Sequence, residues 1–471
     1  MQRIDCIIDT HSSFRAAAWY GLRMALLPFR VEPVMLESES IDTTKGHSVP
    51  SIYYGSDPDA HPDATLRIIQ SESTIDFFDA RVAPFPSSRF VRIGQTRVPV
   101  MFEASGDVTF DPVATVFYFL SGWQETVIRA RDEHGRFPWA SSVQHNLDVR
   151  LMPVVDWTRH ILADLLRKKE VRMERKEFGQ ASWAFCATHD IDYIRKWRPG
   201  IYKRELLDRA ILNQQKESVK DRLGRVFRTS LSLIESGDPF RDALVRIMDE
   251  LEKREARGTF FYKAAAYGQR DVSYHLMDGA VQQAILRQLD KGHEIGLHPS
   301  YHSFAHPERL LSERDRLRSA SQHSVSTYRA HYLRHDHPAS IHLLESAGFD
   351  VDSTIGFAEC TGFRFGTCLP FPLFDPVSMK ETRVWEMPLV MMESALFNRQ
   401  HLDRAQAEKE TLQLMQTCAS FGGVFTGLWH NTLWDESDYP GWGAHFLTTL
   451  DEAVRLGASR QSLSDTLASW Q

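Results

Sequence analysis

Apolar positions in this chain come in short clusters, and their spacing changes character partway along. In the first 145 residues, RIDCIIDT and RVPVMFE predict strands, and PVATVFYFLSGWQETVIRARDE carries apolar residues at helical spacing and predicts an amphipathic helix. GRFPWASSVQHNLDVRLMPVVDW is rich in turn formers and predicts a connector; RHILADLLRKKEVRMERKEFG predicts a charged helix leading into a new domain. From Trp183 onward, apolar strands alternate with helical patterns, each strand ending in polar or small residues. In order they are WAFCATHDID, GTFFYKAAAY, HEIGLHPSYH, STYRAHYLRHD, FDVDSTIGF, RVWEMPLV and GVFTGLWHN. Helices such as HLMDGAVQQAILRQLDKG and HPERLLSERDRLRSASQ lie between them. Seven strands in this alternation predict a parallel barrel or a doubly wound sheet. The expected organisation is a smaller mixed α/β domain over 1–145, a connector and linker helix over 146–182, and a barrel domain over 183–471.

Composition narrows this picture only a little. The chain has 471 residues, 42% hydrophobic and 25% charged, as expected of a globular protein with a substantial core. A net charge of −7 gives no general affinity for nucleic acid. Five cysteines, an odd number without C-x-x-C spacing, point to reduced thiols and a cytoplasmic setting. The N-terminus has no basic start leading into a long apolar run, so no signal peptide is expected, and no apolar stretch is long enough to span a bilayer. One segment interrupts the alternation. Residues 195–228 hold eleven Lys or Arg against four acids, with Leu207, Ile211, Leu223 and Phe227 among them. This predicts a basic helical insertion over 195–240 between the first two strands, either a solvated cap or a peripheral contact with anionic membrane or a polyphosphate-linked substrate.

The candidate chemistry collects where strands end, the usual place for it in such barrels. Strand one closes on Thr188-His189-Asp190-Ile191-Asp192, and carboxylates at i and i+2 share a strand face, so a cation or proton is needed near them. The third strand contains GHEIGLHPSYHSF, in which His293-Glu294 fails the H-E-x-x-H pattern because Leu297 stands where the second His should be. The better pair is His298 and His302, which with one Asp would leave coordination positions open for water and substrate. Arg329 and Tyr332 end the fourth strand. His430, in Leu428-Trp429-His430-Asn431, ends the last and could protonate a leaving group across from Asp190. Trp385, Trp429, Trp434 and Trp442 could stack on a sugar or pack in the core.

The order of these motifs resembles the polysaccharide deacetylase family (carbohydrate esterase family four, the NodB homology domain) over about residues 183–470. The resemblance implies a distorted (β/α)7-type barrel that removes acetyl groups from N-acetylated sugars with Zn2+, or another divalent ion such as Co2+, Ni2+ or Mn2+. It implies Asp190 as base, with Asp192, His298 and His302 as metal ligands. Arg329 would orient the base, a backbone N–H near Tyr332 would bind the oxyanion, and His430 would be the general acid. The chain departs from the family in Pro299 of HPSYH, in the long gap between Asp192 and His298, and in an unclear fourth motif for which Asp352 or Trp385 could stand. TGFRFGTCLPFPLFD, with Arg364 as a candidate substrate contact, and FYFLSGWQE resemble a bacterial subgroup with an extra N-terminal domain, associated with surface-polysaccharide assembly. The substrate implied is an N-acetylated sugar or glycan, free or nucleotide- or lipid-linked. The rival readings are a hydrolase of a non-sugar C–N amide bond and a non-catalytic glycan-binding protein with a relic metal site. Neither the oligomeric state nor the identity of the sugar follows from the sequence.

Overall fold

The computed structural model describes residues 1–36, 49–82, 89–197, 237–268, 270, 271, 274–436 and 438–471, with a few positions between 219 and 227. Most of the expected basic insertion lies outside the described residues.

Two sheets organise the chain. The first is a four-stranded parallel sheet of β1 (Gln2–Asp9), β2 (Val31–Leu36), β3 (Ser51–Gly55) and β4 (Leu66–Ile69), in the order β2-β1-β3-β4. A hairpin follows, β5 (Arg89–Ile93) paired antiparallel with β6 (Thr96–Val100). The predicted amphipathic helix is instead two helices, Pro112–Leu120 and Trp123–Val127, separated by Ser121 and Gly122. Gly122 has φ +61°, and a Cβ there would lie 2.8 Å from the His337 ring and 2.9 Å from Phe365. The break therefore lets the barrel domain come close to the backbone. The first of these helices is buried on every side and has no polar face.

The second sheet has nine strands: β7 (Ala184–Ile191), β8 (Gly258–Tyr262), β9 (Glu294–Leu297), β10 (Thr327–Tyr328), β11 (Val351–Asp352), β12 (Phe371–Asp375), β13 (Lys380–Glu386), β14 (Leu389–Met392) and β15 (Val424–Leu428). Their order is β12-β13-β11-β10-β9-β8-β7-β15-β14, all parallel except β12, which pairs antiparallel with β13. β7, β8 and β15 are buried at every residue, as strands covered on both faces must be. RVWEMPLV, predicted as one strand, supplies β13 beside β11 and β14 beside β15, at or near opposite ends of the sheet. Only Met387 and Pro388 separate them, a span of at most about 11 Å between the flanking residues, so the sheet must curl until its ends almost meet. The result is a distorted barrel with a covalent seam, and β12 is a strand the sequence pattern did not predict, as are β2, β3, β4 and β5 of the first region.

One large apolar cluster runs from Ile4 through Phe117 to Ala458 and joins both sheets. At the seam between them, Arg364 is buried and gives Nε and Nη2 to the two oxygens of Glu125, at 2.8 and 2.6 Å, and Nη1 to the Gly356 carbonyl at 3.0 Å. The five cysteines are buried and unpaired. Among the described residues, no helix is long and apolar enough to cross a membrane.

Candidate metal centre and active site

Because β7, β9, β10 and β15 run parallel, their carboxyl ends form one rim, and each delivers a polar side chain to it. β7 alternates, so Asp190 and Asp192 share a face, while His189, just before Asp190, turns the other way, stacking on Phe260 with ring centroids 4.9 Å apart. Burial lowers the His189 pKa to about 3, which keeps it neutral and leaves it a packing residue. His298 follows β9 and His331 follows β10, the neighbouring strand.

Asp192, His298 and His331 bring three ligand atoms within 4.8 Å of one another. Nε2 of His298 and Nε2 of His331 each lie 3.6 Å from Asp192 Oδ1. The rings are fixed from behind. His298 Nδ1 lies 2.8 Å from the Arg329 carbonyl, which can only accept, so the proton sits on Nδ1 and the Nε2 lone pair faces the site. His331 Nδ1 faces Asp271 Oδ1 at 3.7 Å, the carboxylate-behind-imidazole arrangement common around metals. Burial holds the His331 pKa down at about 4 despite the raising effect of Asp271 and Asp192, so the ring is neutral at neutral pH and able to ligate. Burial alone would raise Asp192, but the Lys263 ammonium, His298 and His331 outweigh it and hold the carboxyl well below the usual range. Lys263 Nζ lies 3.1 Å from Asp192 Oδ1 and is spaced 2.9 and 3.4 Å from the two His331 nitrogens. That spacing places it against the imidazole ring and off the axis of the Nε2 lone pair. One carboxylate and two back-braced imidazoles are a donor set that fits a divalent ion and leaves positions for water and substrate.

Two further groups flank the trio. Asp190 is buried, with Oδ2 3.8 Å from His298 Nε2 and Oδ1 3.9 Å from Arg329 Nη1, and its Oδ1 has no hydrogen-bond partner. Arg329 is fully buried and anchored through Nη2 to Thr188 Oγ1 at 3.1 Å and Ser353 Oγ at 2.9 Å. On the other side, His430 Nε2 lies 3.8 Å from Asp192 Oδ2, and its Nδ1 sits 2.5 Å from Glu393 Oε1. Burial would lower the His430 pKa, but Glu393, Asp192 and Asp190 outweigh it and push it up to about 10, so the ring carries its proton at neutral pH. The cleft above these groups has a volume of about 460 Å³ and is walled by Tyr193, Tyr332 and Tyr439, with Arg136, Arg270 and Arg399 among its lining residues. Tyr332 and Leu333 adopt left-handed backbone angles, φ +63° and +53°, at that wall. Strain of this kind costs about 1–3 kcal/mol per residue and clusters at working sites.

Several residues expected at the site lie elsewhere. His302 is exposed and does not join the trio; past β9 the chain enters a short 3-10 turn, Tyr301–Ser303, and turns His302 outward beside Gly268. His331 is the second imidazole in its place. Arg364 is the buried strut to Glu125 and is absent from the cleft lining. Trp429 is buried against Phe185 and Phe446, Trp434 packs on Phe446 beneath Arg246, and Trp385 meets Trp470 edge-on, so none of the three lines the cleft. The tyrosines take the wall positions expected of tryptophan. Asp352 is buried and bonded to Thr354, with burial raising its pKa to about 6, so it underlies Arg329 without reaching the cleft.

Glu393, Lys263 and Asp271 were missed from sequence. Only Glu393 left a trace there, a single acid closing the otherwise apolar run LVMME at the end of β14.

A family described only as of unknown function (DUF7033) matches residues 8–171. No curated protein matches the chain. Among solved structures, a protein from Mycobacterium smegmatis described as a polysaccharide deacetylase is 15% identical, with 64% of this chain and 92% of that one covered at a TM-score of 0.41. The chitin deacetylase of the fungal pathogen Colletotrichum lindemuthianum is 13% identical, covering 60% and 86% at 0.33. A carbohydrate esterase family four pseudoenzyme of Bacillus anthracis is 9% identical, covering 60% and 65% at 0.30.

Proposed function

We propose that the protein is a metal-dependent hydrolase that removes the acetyl group from an N-acetylated sugar. The observation that carries this reading is the joint arrangement of the Asp192, His298 and His331 trio with Asp190 on one side and the Glu393–His430 pair on the other. The motif order in the sequence, with its resemblance to polysaccharide deacetylases, points the same way.

Lewis acidity is what a divalent ion in this trio contributes when bound, polarising an amide carbonyl and acidifying water. Asp190, with its free Oδ1, accepts the proton of the attacking water, and the buried Arg329 beside it fixes its orientation. The Tyr332 backbone N–H, held in its left-handed turn, is the donor toward the developing oxyanion. His430, kept protonated by Glu393, gives its proton to the departing amine nitrogen. The products are acetate and an amino sugar. Zn2+ is the ion proposed, with Co2+, Ni2+ or Mn2+ as substitutes the same donors accept. A cytoplasmic setting is part of the proposal, supported by five buried cysteines without a disulfide.

The test is release of acetate from N-acetylated mono- and oligosaccharides by the full chain, before and after chelation and after return of each ion. Acetate that disappears with the chelator and returns with metal is the expected result. Binding of sugars without any acetate release would instead mark a glycan-binding protein. Release from cyclic or peptide-like amides alone would mark the non-sugar hydrolase.

A further inference from the structure

The charge of the cleft changes from floor to rim. The carboxylates that line it are Asp190 and Asp192, both at the floor, where the imidazoles and Lys263 face them. The charged residues lining the rim are Arg136, Arg270 and Arg399, each from a different part of the chain. Arg270, in the segment after β8, gives Nη1 to His134 Nδ1 at 2.6 Å and to the Tyr301 hydroxyl at 3.0 Å, and among the described residues it pairs with no carboxylate. Arg399, in the turn Ala395–Arg399 after β14, is exposed and likewise pairs with no carboxylate among the described residues.

Arg136 comes from the region matched by the family of unknown function, in a tight loop closed by Asp132. Asp132 Oδ1 accepts the His134 and Arg136 backbone N–H groups, each at 2.9 Å, and Oδ2 accepts Arg136 Nε at 2.7 Å. That loop is stitched to the barrel. Arg136 Nη1 donates to the Tyr332 carbonyl at 3.0 Å, Arg334 Nε to the His134 carbonyl at 2.7 Å, and Arg131 pairs with Asp336 at 3.1 Å. A loop so held presents its guanidinium at fixed geometry, as recognition of a charged group requires. Two guanidinium groups without carboxylate partners, next to a third on a braced loop, would repel one another around a neutral glycan. They suit a ligand that brings negative charge to the mouth of the cleft.

We infer that the substrate is an anionic N-acetylated sugar, with a phosphate or carboxylate group read by Arg270 and Arg399 beside the Arg136 loop while the acetamido group reaches the floor. This rests on the deacetylase reading for which end of the sugar points inward, and the arginine rim itself can be tested without it. Titration calorimetry on the full chain, loaded with metal and free of it, would compare N-acetylglucosamine, N-acetylglucosamine 1-phosphate and N-acetylmuramic acid. Acetate release from the same three sugars would be followed in parallel. At least one anionic sugar should bind about tenfold or more tightly than the neutral one, an advantage of the size given by a charge-assisted hydrogen bond. The arm showing the larger advantage identifies phosphate or carboxylate. In Arg270→Gln and, separately, Arg399→Glu the ratio of anionic to neutral affinity should fall toward one, with thermal melting used to confirm folding. Equal affinity for all three sugars, or a ratio that survives both substitutions, overturns the inference. Acetate release from every sugar without an anionic preference would leave the hydrolase reading standing and remove this one. Arginine-dependent binding of the anionic sugar with no acetate from any of them would do the reverse.

Discussion

Glu125 and Arg364, where the N-terminal region meets the barrel, form a cluster of buried charge, and so do Asp190, Asp192, His298 and His331 at the barrel's rim. In the first, opposite charges meet in a two-pronged pair and the remaining guanidinium N–H finds a backbone carbonyl. In the second, Asp190 Oδ1 has no hydrogen-bond partner, and Asp192 Oδ1 has the Lys263 ammonium at 3.1 Å and two imidazoles at 3.6 Å gathered on one side of it. Burial makes unmet acceptors costly, about 1–3 kcal/mol each. A fold that keeps them together, with their rings braced from behind, holds them for something that arrives. Satisfied buried charge is architecture here, and unsatisfied buried charge is the site.

Substitutions in the two clusters should therefore fail in different ways. Asp190→Asn should cut turnover by about 10²–10⁴-fold, the contribution of a positioned base, while metal content and thermal stability hold. Steady-state kinetics with elemental analysis would check this, and a loss below tenfold would remove Asp190 from the chemistry. Arg364→Ala should cost about 3–5 kcal/mol of stability by leaving Glu125 buried and alone, read by denaturant unfolding. Once folded, that variant should retain its affinity for metal. A change in metal affinity without a change in stability would mean the two regions are not separate. Asp271→Asn should weaken metal binding by about 10–100-fold, as the loss of a bracing group does, measured by competition with a chelating dye.

The smallest effect concerns pH. The pKa of His430 is raised to about 10, so the proton it donates is present through neutral pH and lost as pH rises through that value. The stability from its pairing with Glu393 follows the same course, being full below the ordinary histidine value near 6.5 and lost toward pH 10. Glu393→Gln removes the main raising influence. The alkaline limb of the rate–pH profile should therefore move down by about one unit or more. An unmoved limb would mean that another group donates the proton.

Much of the barrel was legible because buried parallel strands are apolar throughout, and each ends abruptly in polar residues. Asp190, Asp192, His298, Arg329 and His430 all sit at such ends and could be found by position. His302 misled because H-x-x-x-H brings two rings to one face only where the chain stays helical or extended, and here it passes through Pro299 into a short turn. His331 reaches the site from the neighbouring strand, a pairing that sequence spacing does not reveal. The same holds for Glu393, 37 residues before His430, and for Glu125, 239 residues before Arg364. A lone arginine in a Gly- and Phe-rich stretch reads alike whether its partner is a sugar or a distant glutamate.

The ligand set is where sequence spacing and folded geometry disagree, and metal stoichiometry decides between them. Zinc per chain, measured by elemental analysis after dialysis, should stay near about one in the wild type and in His302→Ala, and fall toward zero in His331→Ala. A loaded His331→Ala beside an empty His302→Ala would contradict the account.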